Sequence, residues 1–162
     1  MPYSKNYDWE TPDEFFLLLN SLFRFTLDPC CLPATAKCPT FFTPAENGLV
    51  QSWRGHRVYM NPPYGRLIGK WVKKAFYEGN QPGTLVVCLV PSRTDTAWWE
   101  KYCQRGVVGF IHGRLRFAGL NRQGQRVKLR ATFPSAVIIF GAFNRDLLAP
   151  LKRHISFVQY LE

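Results

Sequence analysis

The sequence predicts an α/β fold in three layers: a compact, mostly parallel sheet with helices on both faces and an antiparallel C-terminal hairpin. Three observations lead there. Strand and helix patterns alternate through the first two-thirds of the chain. Thr84 to Val90 is an unbroken apolar run of the kind that buried parallel strands use. Three late strand candidates, Val107–Ile111, Arg114–Phe117 and Ala136–Phe140, follow with no helix between them, which places an antiparallel hairpin at the sheet edge. At 162 residues, 46% of them hydrophobic and 20% charged, the chain is expected to form one domain over 1–162 with a core of its own.

The elements can be justified in order. Thr11 has a capping hydroxyl, Pro12 suits the first helical position, and Asp13 and Glu14 favour the positive end of a helix dipole. Phe15, Leu18, Leu19 and Leu22 then recur at helical spacing. Phe25-Thr26-Leu27 reads as a short strand ending at Asp28-Pro29-Cys30-Cys31. Residues 32–56, broken by Pro33, Pro39, Pro44 and Asn47-Gly48, read as loop. Val58-Tyr59-Met60 is a strand. Leu67 to Tyr77 is a helix closed by Gly79, and Ala97 to Tyr102 is another.

The most informative stretch follows Met60: Asn61-Pro62-Pro63-Tyr64, then Gly65. Two prolines stop the strand and stiffen the turn, since each fixes its φ and lacks an N–H. A polar amide is thereby held at the carboxyl end of a strand, the edge where open α/β sheets bind ligands. Methylation of an exocyclic nucleobase amine needs such an arrangement, because conjugation with the ring makes that nitrogen a poor nucleophile. The Asn61 side-chain oxygen and the Pro62 carbonyl can accept its two N–H bonds and draw electron density onto the nitrogen. The Tyr64 ring offers a face for an unstacked base, an interaction worth about 1–3 kcal/mol in single-strand binding.

Charge narrows the partner. Twenty-one Lys and Arg against eleven Asp and Glu leave a net charge of +10, which suits a polyanion, nucleic acid being the commonest. The densest basic stretch lies between Phe117 and Phe133, where Arg122, Arg126, Lys128 and Arg130 are interleaved with Asn121, Gln123, Gly124 and Gln125. It reads as a mobile loop between two strands, contacting phosphates through its cations while its amides read base edges. Composition does not separate DNA from RNA. Cys30, Cys31, Cys38, Cys88 and Cys103 are odd in number with apolar neighbours, against a disulfide framework. Adjacent Cys30 and Cys31 lack the spacing of common zinc sites, so no metal is expected. No apolar run approaches the roughly 20 residues of a membrane span, and no signal-peptide hydrophobic region follows Met1. An intracellular protein with no membrane partner is expected.

Taken in order, Trp9-Glu10-Thr11-Pro12, Asp28-Pro29-Cys30, Ala36-Lys37-Cys38, Asn47-Gly48-Leu49 with Trp53, and Asn61 to Gly65 resemble a known family. Lys70 to Lys74, Val90 to Thr96 with Trp98-Trp99, Gly113-Arg114-Leu115 with Phe117, and Phe133 to Ala136 continue the likeness. Over about residues 8–141 the chain resembles the compact Dam-type N6-adenine DNA methyltransferases of bacteriophages and prophages. The resemblance implies a Rossmann-like methyltransferase domain that transfers a methyl group from S-adenosylmethionine to adenine N6 in double-stranded DNA. The target base is flipped out of the stack, and the setting is bacterial cytoplasm if the chain is phage-encoded.

The resemblance also implies roles. Asn61, Pro62, Pro63 and Tyr64 match the catalytic motif. Thr11, Pro12, Asp28, Pro29, Cys30, Glu46, Asn47 and Asn61 match positions around the cofactor. Arg93, Arg114, Phe117, Arg122, Arg126, Lys128 and Arg130 are the expected DNA contacts. Cys30-Cys31-Leu32-Pro33 stands where many methyltransferases have a Gly-rich turn, and Asn47 stands where the resemblance leads one to expect Asp. The tetrapeptide itself does not exclude N4-cytosine or RNA methylation, and protein-glutamine methyltransferases can use it too, though the strong positive charge argues against that reading. A non-catalytic DNA-binding protein on a decayed scaffold is a further alternative. A monomer is favoured, and the target sequence is not legible.

Overall fold

The computed structural model describes residues 9–120 and 123–161. Its main sheet has seven strands: β1 (Leu27–Asp28), β2 (Thr40–Phe41), β3 (Arg57–Met60), β4 (Leu85–Pro91), β5 (Val107–Ile111), β8 (Ser135–Phe140) and β9 (Ile155–Gln159), in spatial order β2-β1-β3-β4-β8-β5-β9. The first four in space are mutually parallel, and the pairs β4–β8, β8–β5 and β5–β9 are antiparallel. β6 (Arg116–Leu120) and β7 (Arg126–Arg130) form a separate two-stranded antiparallel ribbon.

The expected antiparallel pairing at the C-terminal side is present, but its position differs from the sequence reading. β8 lies inside the sheet, between β4 and β5. All six of its residues are buried, and its backbone is paired on both sides, with β4 and with β5. The edge goes instead to β9, whose Ser156 and Val158 sides are less buried. The stretch read as a loop between Phe117 and Phe133 is largely the ribbon.

Helix α1 (Asp13–Phe23) covers one face and α2 (Ile68–Gly79) with α3 (Ala97–Lys101) cover the other. The alternation of β4 makes the two layers visible: Leu85, Val87 and Leu89 pack with Phe16, Leu19 and Phe23 of α1, while Val86, Cys88 and Val90 pack with Trp71, Val72 and Ala75 of α2. The buried stripe of α1 is therefore Phe16, Leu19 and Phe23, with Leu18 and Leu22 flanking it. Thr11 does not cap α1. Pro12 occupies the cap position without a side-chain bond, and the Thr11 hydroxyl is bonded to the Tyr59 hydroxyl at 2.6 Å in the core.

Candidate active site

β1, β3 and β4 all point their carboxyl ends to the same edge, which brings Asp28, Asn61 and Pro91 together. Beyond Met60 the chain leaves the sheet through Asn61–Tyr64, with Pro62, Pro63 and Tyr64 buried. Gly65 then takes φ = 123°, a conformation that a residue with a Cβ rarely adopts, and α2 begins three residues later.

Asn61 is held by one half of its amide. Its Nδ2 donates to the Trp9 carbonyl at 2.7 Å, which fixes the rotation of the amide, since an oxygen turned that way would face another acceptor. Its Oδ1 is buried and has no hydrogen-bond partner among the described residues. A buried acceptor left unpaired costs about 1–3 kcal/mol. The Asn61 main-chain carbonyl in turn accepts from the Cys30 thiol at 3.4 Å. The turn is thus tied on one side to residue 9 and on the other to the end of β1, with one acceptor kept open.

Tyr64 forms a wall, with 7% of its surface exposed. Its ring meets Phe117 and Phe133 edge-on at 6.4 and 5.6 Å, and its hydroxyl reaches the Leu89 carbonyl at 3.4 Å. Burial pushes its phenol well above the usual range, so it stays neutral. The ring borders an open cleft of about 530 Å³ together with Trp9, Pro91, Arg93, Trp98 and Phe133. That volume is within the range of small-molecule sites.

Trp9 also borders a second, much smaller cavity, of about 30 Å³, with Thr11, Asp28, Cys30, Lys37 and Asn61. Four residues expected around the cofactor, Thr11, Asp28, Cys30 and Asn61, are gathered here. Asp28 is 3% exposed, and its carboxylate accepts the backbone N–H of Cys30 (3.3 Å) and of Lys37 (3.0 Å). Burial outweighs these bonds and pushes its pKa up to about 6. Its direct donors are neutral and the Lys37 ammonium acts on it only through space, so the carboxyl still has room for a contacting cation such as an amino acid's ammonium, and the donor set fits that end of S-adenosylmethionine. The space holds about one water, so the cavity must widen to take the cofactor.

The remaining candidates fall elsewhere. Pro12 lines the groove between α1 and the ribbon, and Pro29 is buried beside Asp28. A Cβ on Gly48 would lie 2.0 Å from the Pro29 carbonyl oxygen, so only glycine allows that approach. Glu46 and Asn47 are exposed and outside the small cavity. Glu46 accepts from the Thr43 amide and hydroxyl, bonds that hold its carboxyl below the usual range, and Asn47 sits at φ = 57° accepting the Leu49 N–H.

The strap Trp9-Glu10-Thr11 closes the small cavity. Glu10 exchanges both backbone hydrogen bonds with Ala118 of β6, at 2.9 and 3.0 Å. Its carboxylate pairs with Lys37 at 3.2 Å and with Arg126 of β7, and Lys37 also pairs with Asp13 at 2.8 Å. Sequence reasoning assigned no role to Glu10, Lys37, Tyr59 or the Trp9 carbonyl. Their partners lie 24 to 116 residues away, and no local pattern signals them.

On the ribbon, Arg126, Lys128 and Arg130 are exposed on one face of β7 while Val127 and Leu129 are half-buried. Arg116, exposed on β6, stands directly across from Arg130. Like charges opposed on one face repel, and an anion beside this face would relieve that repulsion. Arg114 is exposed at the foot of the ribbon, and Arg93 is exposed at the rim of the large cleft. Phe117 is fully buried against Trp9, Tyr64 and Phe133, so its ring supports the cleft from beneath and is not on the surface with the arginines. Arg122 lies outside the described residues. The five cysteines are buried free thiols, and burial pushes each thiol's pKa up.

Comparison with known proteins identifies the family. The chain is 28% identical over 137 residues to the DNA N-6-adenine-methyltransferase of Haemophilus phage HP1 (strain HP1c1), covering 82% of this chain and 77% of that protein. It is 35% identical over 63 residues to the putative methyltransferase YfdM of Escherichia coli (strain K12), covering 35% of this chain and 69% of that protein. The family model described as DNA N-6-adenine-methyltransferase (Dam) matches residues 1–159, and the chain accordingly belongs to that family of adenine-specific DNA methyltransferases.

Proposed function

We propose that the chain carries out its family's reaction on an adenine turned out of the duplex into the cleft beside Tyr64. The observation that carries this reading is the Asn61 amide, locked through Nδ2 onto the Trp9 carbonyl with a buried Oδ1 left without a partner. An incoming N6 amine supplies the missing donor. Its other N–H meets the Pro62 carbonyl, and together the two acceptors raise the electron density on a nitrogen otherwise conjugated with the ring. Neither has to act as a strong base, because the amine becomes acidic only as its new bond to carbon forms and its proton then passes to water.

Turning the base out costs a few kcal/mol. The Tyr64 ring offsets part of this by stacking, held in place by Phe117, Phe133 and its bond to Leu89. Thr11, Asp28, Cys30 and Asn61 are the residues placed to hold S-adenosylmethionine, with the Asp28 carboxylate meeting the ammonium. That cofactor supplies an already activated methyl group, and the protein supplies position and electrostatics. Arg93, Arg114, Arg116, Arg126, Lys128 and Arg130 take the phosphates.

The test is incubation with unmethylated duplex DNA and labelled S-adenosylmethionine, then digestion and mass spectrometry of the nucleosides. N6-methyldeoxyadenosine is expected with the wild type, and at initial rates about a hundredfold or more lower with Asn61→Ala. Methylated cytosine, or equal product from the variant, would overturn the reading.

A further inference from the structure

A further cleft lies at the other edge of the sheet, where β3, β4 and β5 begin and α1 and α2 end. It has a volume of about 870 Å³ and an apolar floor that includes Phe76 and Phe143. Arg24, Arg57, Arg105 and Arg145 line it, and among the described residues no Asp or Glu does. All four arginines are exposed, and none takes part in an ion pair among the described residues.

Three of these guanidinium groups are held in place without being neutralised. Arg57 Nε donates to the Arg24 carbonyl at 2.8 Å, which leaves its terminal nitrogens for another acceptor. Arg105 lies over the Phe76 ring at 5.5 Å and Arg145 over the Phe143 ring at 4.8 Å. A guanidinium stacked on a ring keeps its charge and its in-plane donors, and such pre-positioning lowers the entropy lost when it grips an anion. Four unpaired cations around one cleft repel each other, so the arrangement favours a ligand with several negative charges spaced along it.

We propose that this cleft is a second DNA site, engaging the phosphates of a segment other than the one being methylated. β4 is seven residues long, so the two edges are roughly 20 Å apart. A straight duplex seated at the carboxyl edge therefore does not reach the arginines at the amino edge. The enzyme acts on a polymer, and a second hold on it raises its local concentration on long DNA without contributing a group to the chemistry.

The experiment compares wild type, Arg24→Glu/Arg145→Glu, and the quadruple replacement of Arg24, Arg57, Arg105 and Arg145 by Lys. Native mass spectrometry with a 12-base-pair duplex at low salt is expected to show two duplexes per chain for the wild type and the Lys variant, and one for the Glu variant. On long DNA the Glu variant should bind at least tenfold more weakly, with a slope of log affinity against log salt shallower by about 2. Its kcat on the short duplex should equal wild type, which also certifies its fold and separates this result from failure of the catalytic reading. A single duplex per wild-type chain, an unchanged salt slope in the Glu variant, or loss of the second duplex to ATP alone at equal phosphate concentration would overturn the proposal.

Discussion

The two edges of the sheet treat charge in opposite ways. At the carboxyl edge cations and carboxylates are interlocked: Glu10 spans Lys37 and Arg126, Lys37 also holds Asp13, and the strap they secure shuts a cavity of about 30 Å³. At the amino edge four arginines line a cleft of about 870 Å³ that no Asp or Glu among the described residues lines. The carboxyl edge keeps a buried neutral acceptor, Asn61 Oδ1, without a partner, and the amino edge keeps guanidinium groups without an ion pair, among the described residues. An acceptor locked in a stiff turn selects one hydrogen-bond donor in one place. Unpaired guanidinium groups attract any phosphate chain. The net charge of +10 is thus spread over two kinds of surface.

The sharpest way to break this contrast is to substitute Asn61. Asn61→Ala should lower kcat by about 10²–10³-fold, the range seen when a single pre-positioned hydrogen-bonding group is removed from a reacting centre. The Trp9 carbonyl loses its donor, but the unpaired Oδ1 goes with it, so thermal stability should change by no more than about 1 kcal/mol. Arg24→Ala or Arg145→Ala should leave kcat on a short duplex unchanged. Single-turnover methyl transfer measures the first effect and calorimetry the second. Equal losses at the two edges would show that the carboxyl edge holds no special acceptor.

Tyr64 comes next. Tyr64→Phe gives up a 3.4 Å bond to Leu89 and retains the ring, so activity should stay within about threefold of wild type. Tyr64→Ala removes the surface proposed for stacking, at about 1–3 kcal/mol or 10–100-fold in kcat/KM. It also opens a hole against Phe117 and Phe133, with a further stability loss of about 3–5 kcal/mol. The Phe variant therefore carries the test of stacking, and a collapse of its activity would assign the role to the hydroxyl instead.

Asp28 gives a pH signature. Its folded pKa is about 6 against an ordinary 3.8, so between those values the folded state binds more protons than the unfolded. Stability from this group consequently falls as pH rises from about 4 to 6, by up to about 3 kcal/mol, and is level above that. An ammonium beside it has the opposite preference, so cofactor affinity should rise up to about tenfold through pH 6 and fade near pH 8 as an amino group deprotonates. Asp28→Asn should flatten both curves in calorimetric titrations. A pH-independent affinity for wild type would remove Asp28 from the cofactor site.

The parts of this site that the sequence reveals are those written locally. Val58–Met60 with two prolines after it predicts the turn, since an apolar run and two fixed φ angles act over a few residues. The run from Thr84 predicts β4 to within one residue, because a strand buried on both faces has no polar alternation. β2 is two residues long and β9 has exposed edge positions, so neither has a readable pattern. The inward place of β8 follows from pairing with two strands distant in sequence. The strap was hidden for a related reason: Glu10 meets Ala118 and Arg126 across more than a hundred residues, and Thr11, whose sequence context reads as a helix cap, is drawn instead to Tyr59.

The smallest effect concerns that strap, and it asks whether the carboxyl edge withholds its cations from DNA. Glu10 is 13% exposed on its side chain, and Arg126 is 60% exposed, so this pair is shielded on the acid's side and open on the base's. A phosphate reaching Arg126 must compete with the carboxylate already there. Glu10→Gln retains a hydrogen-bonding oxygen while removing the charge, so Arg126 should become available and short-duplex affinity should rise a few-fold at low salt. Arg126→Ala should make the slope of log affinity against log salt shallower by about 0.9, the contribution of one phosphate contact. Combining the two should give the Arg126→Ala value, since Glu10 would then have no cation on the ribbon to withhold. Anisotropy titrations at several salt concentrations measure all three. Unchanged affinity in Glu10→Gln, with the slope still reduced in Arg126→Ala, would mean that Arg126 meets phosphate without leaving Glu10, and the pairing at the carboxyl edge would be a scaffold for the strap instead of a competitor of the substrate.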